Sequence, residues 1–508
     1  MEIMQYISVS TGIASLLFFA FARSLFLRWH QYRTERRLGC KPPAKYPHRL
    51  PWGLDLFRER VKGVAEGRYN RVYLDHYRQL GETWEENTFG VRTINTVDQE
   101  NLRAMTIVNF SHYGKGASRN NALMPFLGHG IFSEDGPAWR HSRELVKPLF
   151  KRAELSDVDR FRKHVDRMIS LIPRDGSMVD LKPLLDKLFL DSSSEFVFGE
   201  PLGALDDDSG AADEFLDHWS GALIGAGKRG NIADGKLSFL FMFDKTWAQH
   251  YNAVHAFIDR HVARVLEATK PDADGKSEKD AVNQPPEHYI LINEMVKELR
   301  DPIALRFELL NVFFPARDSN AILLSNTLFH LARNPDVWAE LRRQSLALRD
   351  QPITFELLKS LPLFRYTLFE AIRLQGPSGI AQRVAIQDTI LPRGGGPDGS
   401  SPVFVPKGTK VALNTFVGFH DPKIWGEDVE SFRPNRFEGK VLKFEFVPFL
   451  AGPRICPAQQ QVITQGVYLL LRLTREFETM ENMDPYLEYV ELIKMLCESR
   501  NGVKVAFH

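Results

Sequence analysis

The chain has 508 residues, 44% of them hydrophobic and 25% charged, with a formal net charge of +1 at pH 7. These proportions suit a globular protein with a sizeable core, and the charge balance gives no global case for nucleic acid or an acidic partner. The three cysteines, Cys40, Cys456 and Cys497, are odd in number and far apart, which excludes a disulfide framework and suits a reducing compartment.

Residues 6–27 are almost wholly apolar, about the ~20 residues that span a bilayer core. A cleaved signal peptide wants a basic start and a small-residue cleavage site. Ala20-Phe21-Ala22 resembles such a site, but the only charge before the run is Glu2, and apolar residues resume at Leu25. Arg28, Arg33, Arg36 and Arg37 follow. The flanks favour a retained membrane anchor over residues 1–30, a single pass with the remainder facing the cytoplasm, as in the endoplasmic reticulum. A basic, Pro-rich connector at 31–52 carries Pro42, Pro43, Pro47 and Pro51 and reads as a stiff spacer. Residues 53–508 contain no repeat and no domain-separating linker, and read as one domain.

Most of that domain has helical periodicity. Trp139 and Arg143 lie four apart on a predicted helix, so both reach one patch. Arg140 and Lys147 share a helical face, with Lys151 and Arg152 just beyond Pro148. This basic cluster is either a solvated face or a dock for an acidic flavin domain. Gly225-Ala226-Gly227-Lys228 is no phosphate loop, because Ala222 and Arg229 stand where glycine and Ser/Thr are needed. The polar run 270–286 reads as a surface loop. Its Asp272-Ala273-Asp274-Gly275 is no calcium loop, because Asn283 replaces the bidentate glutamate.

A long helix is predicted from 303 to 332, capped by Asp301, with Pro302 in its first turn. Pro315 is expected to kink it, freeing backbone groups to bind water or oxygen beside Asp318 and Ser319. Glu370 and Arg373 face each other at i, i+3, which alone is a surface pair worth about 0.2–0.5 kcal/mol. Residues 393–400 read as a hairpin turn, and 403–413 and 503–507 are β-prone. Arg436 lies in a segment flanked by aromatics and proline. Finally, Phe449, Gly452, Arg454 and Cys456 form a glycine-turned loop that presents one thiolate ahead of an amphipathic helix. An axial haem ligand needs such a loop, which fixes the sulfur's direction while the helix N-terminus stabilises its charge. A thiolate on haem iron favours O–O cleavage. The competing reading, a small buried hydrophobe, leaves the neighbouring offsets unexplained.

On these motifs the chain resembles the cytochrome P450 family of haem-thiolate monooxygenases. The family's Phe-x-x-Gly-x-Arg-x-Cys-x-Gly loop matches at Phe449, Gly452, Arg454 and Cys456, and departs at Ala458. Its Ala-Gly-x-Asp-Thr-Thr segment, an acid–alcohol pair that relays protons for oxygen activation, matches at Asp318, with Ser319 for the first threonine and Asn320 for the second. Its Glu-x-x-Arg pair and the locking arginine of Pro-x-Arg-Phe match Glu370, Arg373 and Arg436, which implies a structural role. Its Trp-x-x-x-Arg matches Trp139 and Arg143, which implies a haem-propionate contact, as do Arg454 and Arg383.

The resemblance implies a mainly α fold with small β-sheets, haem b, and electrons from NADPH through a flavoprotein reductase. One oxygen atom of O2 would enter a C–H bond of a lipophilic substrate. Segments 126–132, 135–139, 393–399 and 501–505 resemble the fungal alkane- and fatty-acid-hydroxylating branch, which implies terminal or near-terminal hydroxylation of a long alkyl chain. The implied substrate contacts are 111–126, 239–243, 313–314, 378–381 and 495–497. Two other readings stay open: tailoring oxidation of a fungal secondary metabolite, and a haem isomerase, dehydratase or non-catalytic haem binder, admitted by Ser319, Asn320 and Ala458.

Overall fold

A computed structural model describes residues 31–156, 158–269, 290–349 and 351–508, with scattered positions between 15 and 29. The run 270–286, expected as a surface loop, and most of the apolar stretch 6–27 lie outside the described residues. Among the described residues no helix is long and apolar enough to cross a membrane. The expected spanning helix, the membrane as a partner and the single-pass reticulum topology are therefore withdrawn.

The chain folds mainly as α-helix. The helices that position the site are α1 (Ala117–Leu127), α2 (Gly136–Ser156), α3 (Leu181–Phe198), α4 (Ala211–Asn231), α5 (Lys245–Ala268), α6 (Pro302–Ala332), α7 (Pro362–Gln375) and α8 (Gln459–Glu476). Helix α6 is the spine. The Asp301 side chain accepts the Ala304 N–H at 2.7 Å, and Pro302 occupies the first turn, where its missing N–H costs nothing. The helix is apolar nearly all round and buried accordingly. Leu309, Leu310 and Phe313 pack on α1, α3, α4 and α5, whereas Leu324 and Leu328 pack with α7 and α8. It is helical throughout, including at Pro315.

Gly225 of the excluded phosphate-loop look-alike lies inside α4. A Cβ there would stand 2.0 Å from the Trp247 ring of α5, so this glycine serves close helix packing.

The main sheet has six strands. Strands β1 (Ala44–Lys45), β2 (Thr83–Thr88), β3 (Val91–Thr96) and β4 (Tyr113–Gly114) come early, β5 (Ile380–Ala385) and β8 (Lys410–Asn414) late. Their order is β1-β2-β3-β8-β5-β4. Between β5 and β8, β6 (Thr389–Gly395) and β7 (Ser401–Val405) form the expected hairpin, with Gly395 opposite Ser401. The β-prone stretch 403–413 is thus split between two sheets. Part of the connector is docked on the sheet: β1 pairs with β2, and Lys41 N–H donates to Pro402 O at 2.9 Å.

Candidate active site

The cysteine loop is fixed by its own backbone. Leu450 N–H donates to Val447 O, Ile455 N–H to Gly452 O and Cys456 N–H to Phe449 O, at 3.0, 3.0 and 3.1 Å. Gly452 has φ +71° and lies against the Thr106 carbonyl of a π-helical turn (Ala104–Val108). A Cβ at Gly452 would stand 1.8 Å from that oxygen, so only glycine fits. Ala458, where the family motif has glycine, sits at φ −94°, ψ 8°, a conformation that needs none. Burial pushes the Cys456 thiol up, while the Ala458 N–H and Arg143 pull it down. A bound metal cation is what holds such a sulfur as thiolate.

Cys456 faces a cavity of about 320 Å³ that also meets Trp139, Arg143, Pro315, Ser319, Arg383, Phe449 and Arg454. The chain segments carrying these residues are remote in sequence, and the fold brings them together. Lys115, just after β4, lines the same cavity and is a residue that the sequence motifs do not single out. Its ammonium is held well below the usual lysine range by burial, then by Arg383 and Arg454. Burial also lowers Arg383, to about 10, and lowers Arg143 and Arg454. Among the described residues, Arg454 Nη1 is buried with no acceptor and no Asp or Glu lines the cavity. Asp135 pairs with Arg454 from outside the cavity, and one carboxylate against Lys115, Arg143, Arg383 and Arg454 leaves an excess of cations that calls for an anionic ligand. A group bearing two carboxylates, such as haem, fits these residues.

Helix α6 separates the acid from the alcohol. Ser319 lines the cavity and its hydroxyl meets no protein partner among the described residues. Asp318 does not line it. Its carboxylate accepts from Trp219 Nε1 at 2.7 Å and from Arg317, beside a second, polar compartment of about 210 Å³ with Lys182, Asp186, Lys494 and Glu498. Burial pushes the Asp318 carboxyl up, against the pull of Arg317 and Trp219. Asn320 donates to Ala316 O at 2.8 Å and to Gln465 Oε1 at 3.4 Å, tying α6 to α8.

Glu370 and Arg373 are fully buried and Arg436 nearly so. Arg373 Nε and Nη2 donate to Glu370 at 2.8 and 3.0 Å, and Arg436 Nε donates at 2.7 Å. The guanidiniums also clamp the carbonyls of Phe419, Trp425, Asp428 and Ser431, which fixes the stretch leading to the cysteine loop. Of the expected basic cluster, Arg140 and Lys147 are exposed, and the side chains of Lys151 and Arg152 lie outside the described residues.

Several expected substrate contacts are elsewhere. Phe313 and Phe314 pack into the core against Trp219, and Phe239 and Phe243 are exposed on the surface. Ser378, Ala381 and Leu496 do line the cavity.

A mainly α fold whose buried central helix faces a lone cysteine loop across a cation-rimmed cavity defines the class, a haem-thiolate oxygenase. Residues 61–485 match the family model described as Cytochrome P450. The chain is 36% identical to cytochrome P450 monooxygenase iccC of Talaromyces variabilis, over 99% of each chain. It is 36% identical to iliC of Neonectria sp. (strain DH2), over 99% of this chain and 98% of the relative. It is 34% identical to apdE of Emericella nidulans, over 99% and 96%. The chain belongs to the cytochrome P450 family and is an NADPH- and O2-dependent monooxygenase. Membership implies haem b on a cysteine thiolate and an NADPH-dependent reductase partner.

Two expectations fall here. These relatives are fungal monooxygenases, none named for an alkane or a fatty acid, and the phenylalanines expected along an alkyl chain lie outside the cavity. The fatty-acid reading is set aside, and so is the isomerase or non-catalytic reading, since the relatives are monooxygenases over their whole length.

Proposed function

We propose that this monooxygenase carries out a tailoring oxidation of a fungal secondary metabolite, inserting one oxygen atom into a C–H bond of a lipophilic molecule that also bears hydrogen-bonding groups. The observation that carries this reading is the chemistry of the cavity wall. Val312, Leu323, Ala381 and Leu496 supply apolar surface, while the hydroxyls of Ser319 and Ser378 have no protein partner among the described residues. A plain alkyl chain would leave these hydroxyls unsatisfied, whereas a functionalised substrate or its waters would pair with them. The full-length likeness to fungal monooxygenases supports the same reading.

In this assignment Cys456 would hold the haem iron through its thiolate, and Trp139, Arg143, Arg383, Arg454 and Lys115 would hold the carboxylates of haem. Haem supplies the oxygen-activating chemistry. Ser319 holds water in the cavity and passes a proton from its hydroxyl, and Asp318 sets the charge behind that turn of α6. Glu370, Arg373 and Arg436 hold the approach to the cysteine loop. Residues 53–508 form the catalytic domain, with 31–52 as a connector laid on its sheet.

The test is to pair the holoenzyme with a fungal reductase and NADPH, and to offer it both lipophilic metabolites extracted from the source fungus and long-chain fatty acids. Mass spectrometry reads the products. A metabolite gaining one oxygen supports the proposal. Conversion of fatty acids alone refutes it.

A further inference from the structure

Among the described residues, Asp135 is the carboxylate standing behind the cation cluster. Asp135 lies immediately before α2, where an aspartate ordinarily caps its own helix by accepting from the second or third N–H. Among the described residues it makes no such bond. Its Oδ1 accepts from Arg454 Nη2 at 2.6 Å, and its Oδ2 accepts from the Lys115 backbone N–H at 2.7 Å. One side chain thus joins three segments: the loop ahead of α1, the start of α2 and the cysteine loop. Gly114 makes room for it, since a Cβ there would stand 2.6 Å from Asp135 Oδ2.

Arg454 is held on its remaining sides as well. Its Nη2 also donates to Glu134 O at 2.9 Å, and its guanidinium lies 4.4 Å from the centre of the Trp139 ring. With Nη2 bonded to both Glu134 O and Asp135 Oδ1 and the guanidinium carbon over the tryptophan ring, rotating the guanidinium would break these contacts. Nη1 is buried and has no acceptor among the described residues, and Arg454 is part of the cavity wall. Asp135 itself does not line the cavity. It therefore orients donors without competing for the ligand they face.

We propose that Asp135 is a positioning residue for the cofactor's carboxylates, fastening Arg454 and the Lys115 loop from behind so that their free donors are preset toward the cavity. This rests on the haem assignment above. Preset donors lose little freedom on binding, which makes each charge-assisted hydrogen bond count more fully.

The experiment is a double-mutant cycle on holoenzyme with Asp135→Asn, Arg454→Gln and both together. Haem transfer to excess apomyoglobin is timed, and the thermal unfolding midpoint is read alongside. Asp135→Asn keeps the size and can still accept from the Lys115 N–H. Each single variant is expected to release haem roughly tenfold faster, the scale of one charge-assisted hydrogen bond. The double variant is expected to release it no faster than Arg454→Gln alone, because Asp135 acts through Arg454. A merely structural role would lower the unfolding midpoint and multiply the two effects. Multiplied effects, or an unchanged rate in Asp135→Asn, overturn the proposal. If Asp135→Asn yields no holoenzyme, Asp135→Glu takes its place in the cycle, and the same rates support or overturn the proposal. A wild-type protein that binds no haem sinks the cofactor assignment itself, whereas a haem-bearing wild type with multiplied effects sinks only the role of Asp135.

Discussion

Glu370→Gln tests the buried cluster directly. The two carboxylate oxygens receive bonds from Arg373 Nε and Nη2, Arg436 Nε and the Arg433 backbone N–H, at 2.7 to 3.0 Å. Glutamine keeps one acceptor oxygen but turns an NH2 toward an arginine, leaving two guanidiniums without their shared anion. Breaking a buried pair on one side costs about 3–5 kcal/mol. Asp428, 3.4 Å from Arg436 Nη1 and partly exposed, offers weak relief. The expected loss is therefore near the lower end, about 3 kcal/mol, a large part of the ~5–15 kcal/mol that holds a domain folded. Urea unfolding followed by circular dichroism reads the loss, and the CO-bound spectrum of the reduced protein reads how much haem keeps its thiolate. Both should fall together, because the same guanidiniums clamp the chain leading to Cys456. Glu340→Gln, in an exposed pair with Arg343, should leave both unmoved. A loss below about 1 kcal/mol for Glu370→Gln would refute the reasoning, since the cluster would then be no more than a surface pair.

Gly452→Ala places a methyl against the Thr106 carbonyl at a positive φ, so the protein should accumulate without thiolate-bound haem, which the CO spectrum of reduced lysate shows. Ser319→Ala should cut product formed per NADPH by about 10²-fold, the lower range for a positioned proton-transfer group, with the balance appearing as peroxide; Ser319→Thr should restore coupling. His330 is buried against Gln375 and its folded value is depressed to about 4. As pH falls from about 6.5 to about 4 the unfolded chain takes up the proton first, so its contribution to stability declines by up to about 3 kcal/mol. His330→Gln should flatten part of the slope of urea midpoints between pH 7 and pH 5.

What is legible in the sequence is local. Asp301 and Pro302 are adjacent to the end they set, so the start of α6 can be read within a residue. The glycine-rich turn of the β6–β7 hairpin carries its own backbone requirement. Burial is not local, and there the sequence misleads. Glu370 and Arg373 read alone as a weak surface pair, yet both are fully buried. The prolines of the connector suggest a stiff spacer, and nothing in them announces that Ala44 and Lys45 pair with β2. Lys115 carries one faint signal, a lysine between Gly114 and Gly116. Nothing in that spacing announces three arginines brought from residues 143, 383 and 454.

The separation of Asp318 from Ser319 follows from the same limit. Neighbours on an α-helix point about 100° apart, at 3.6 residues per turn. On a surface helix one of them would face solvent. Helix α6 is buried nearly all round, so two adjacent polar residues must open into two different polar environments or go unsatisfied. Ser319 opens into the cavity before Cys456, and Asp318 into the compartment of Lys182, Asp186 and Glu498. A motif that sets the two side by side therefore describes a wall with two faces. Removing the hydroxyl should disturb what happens to oxygen, with the fold intact. Asp318→Asn should instead lower the unfolding midpoint as well as the rate, because Arg317 and Trp219 lose the anion that both hold.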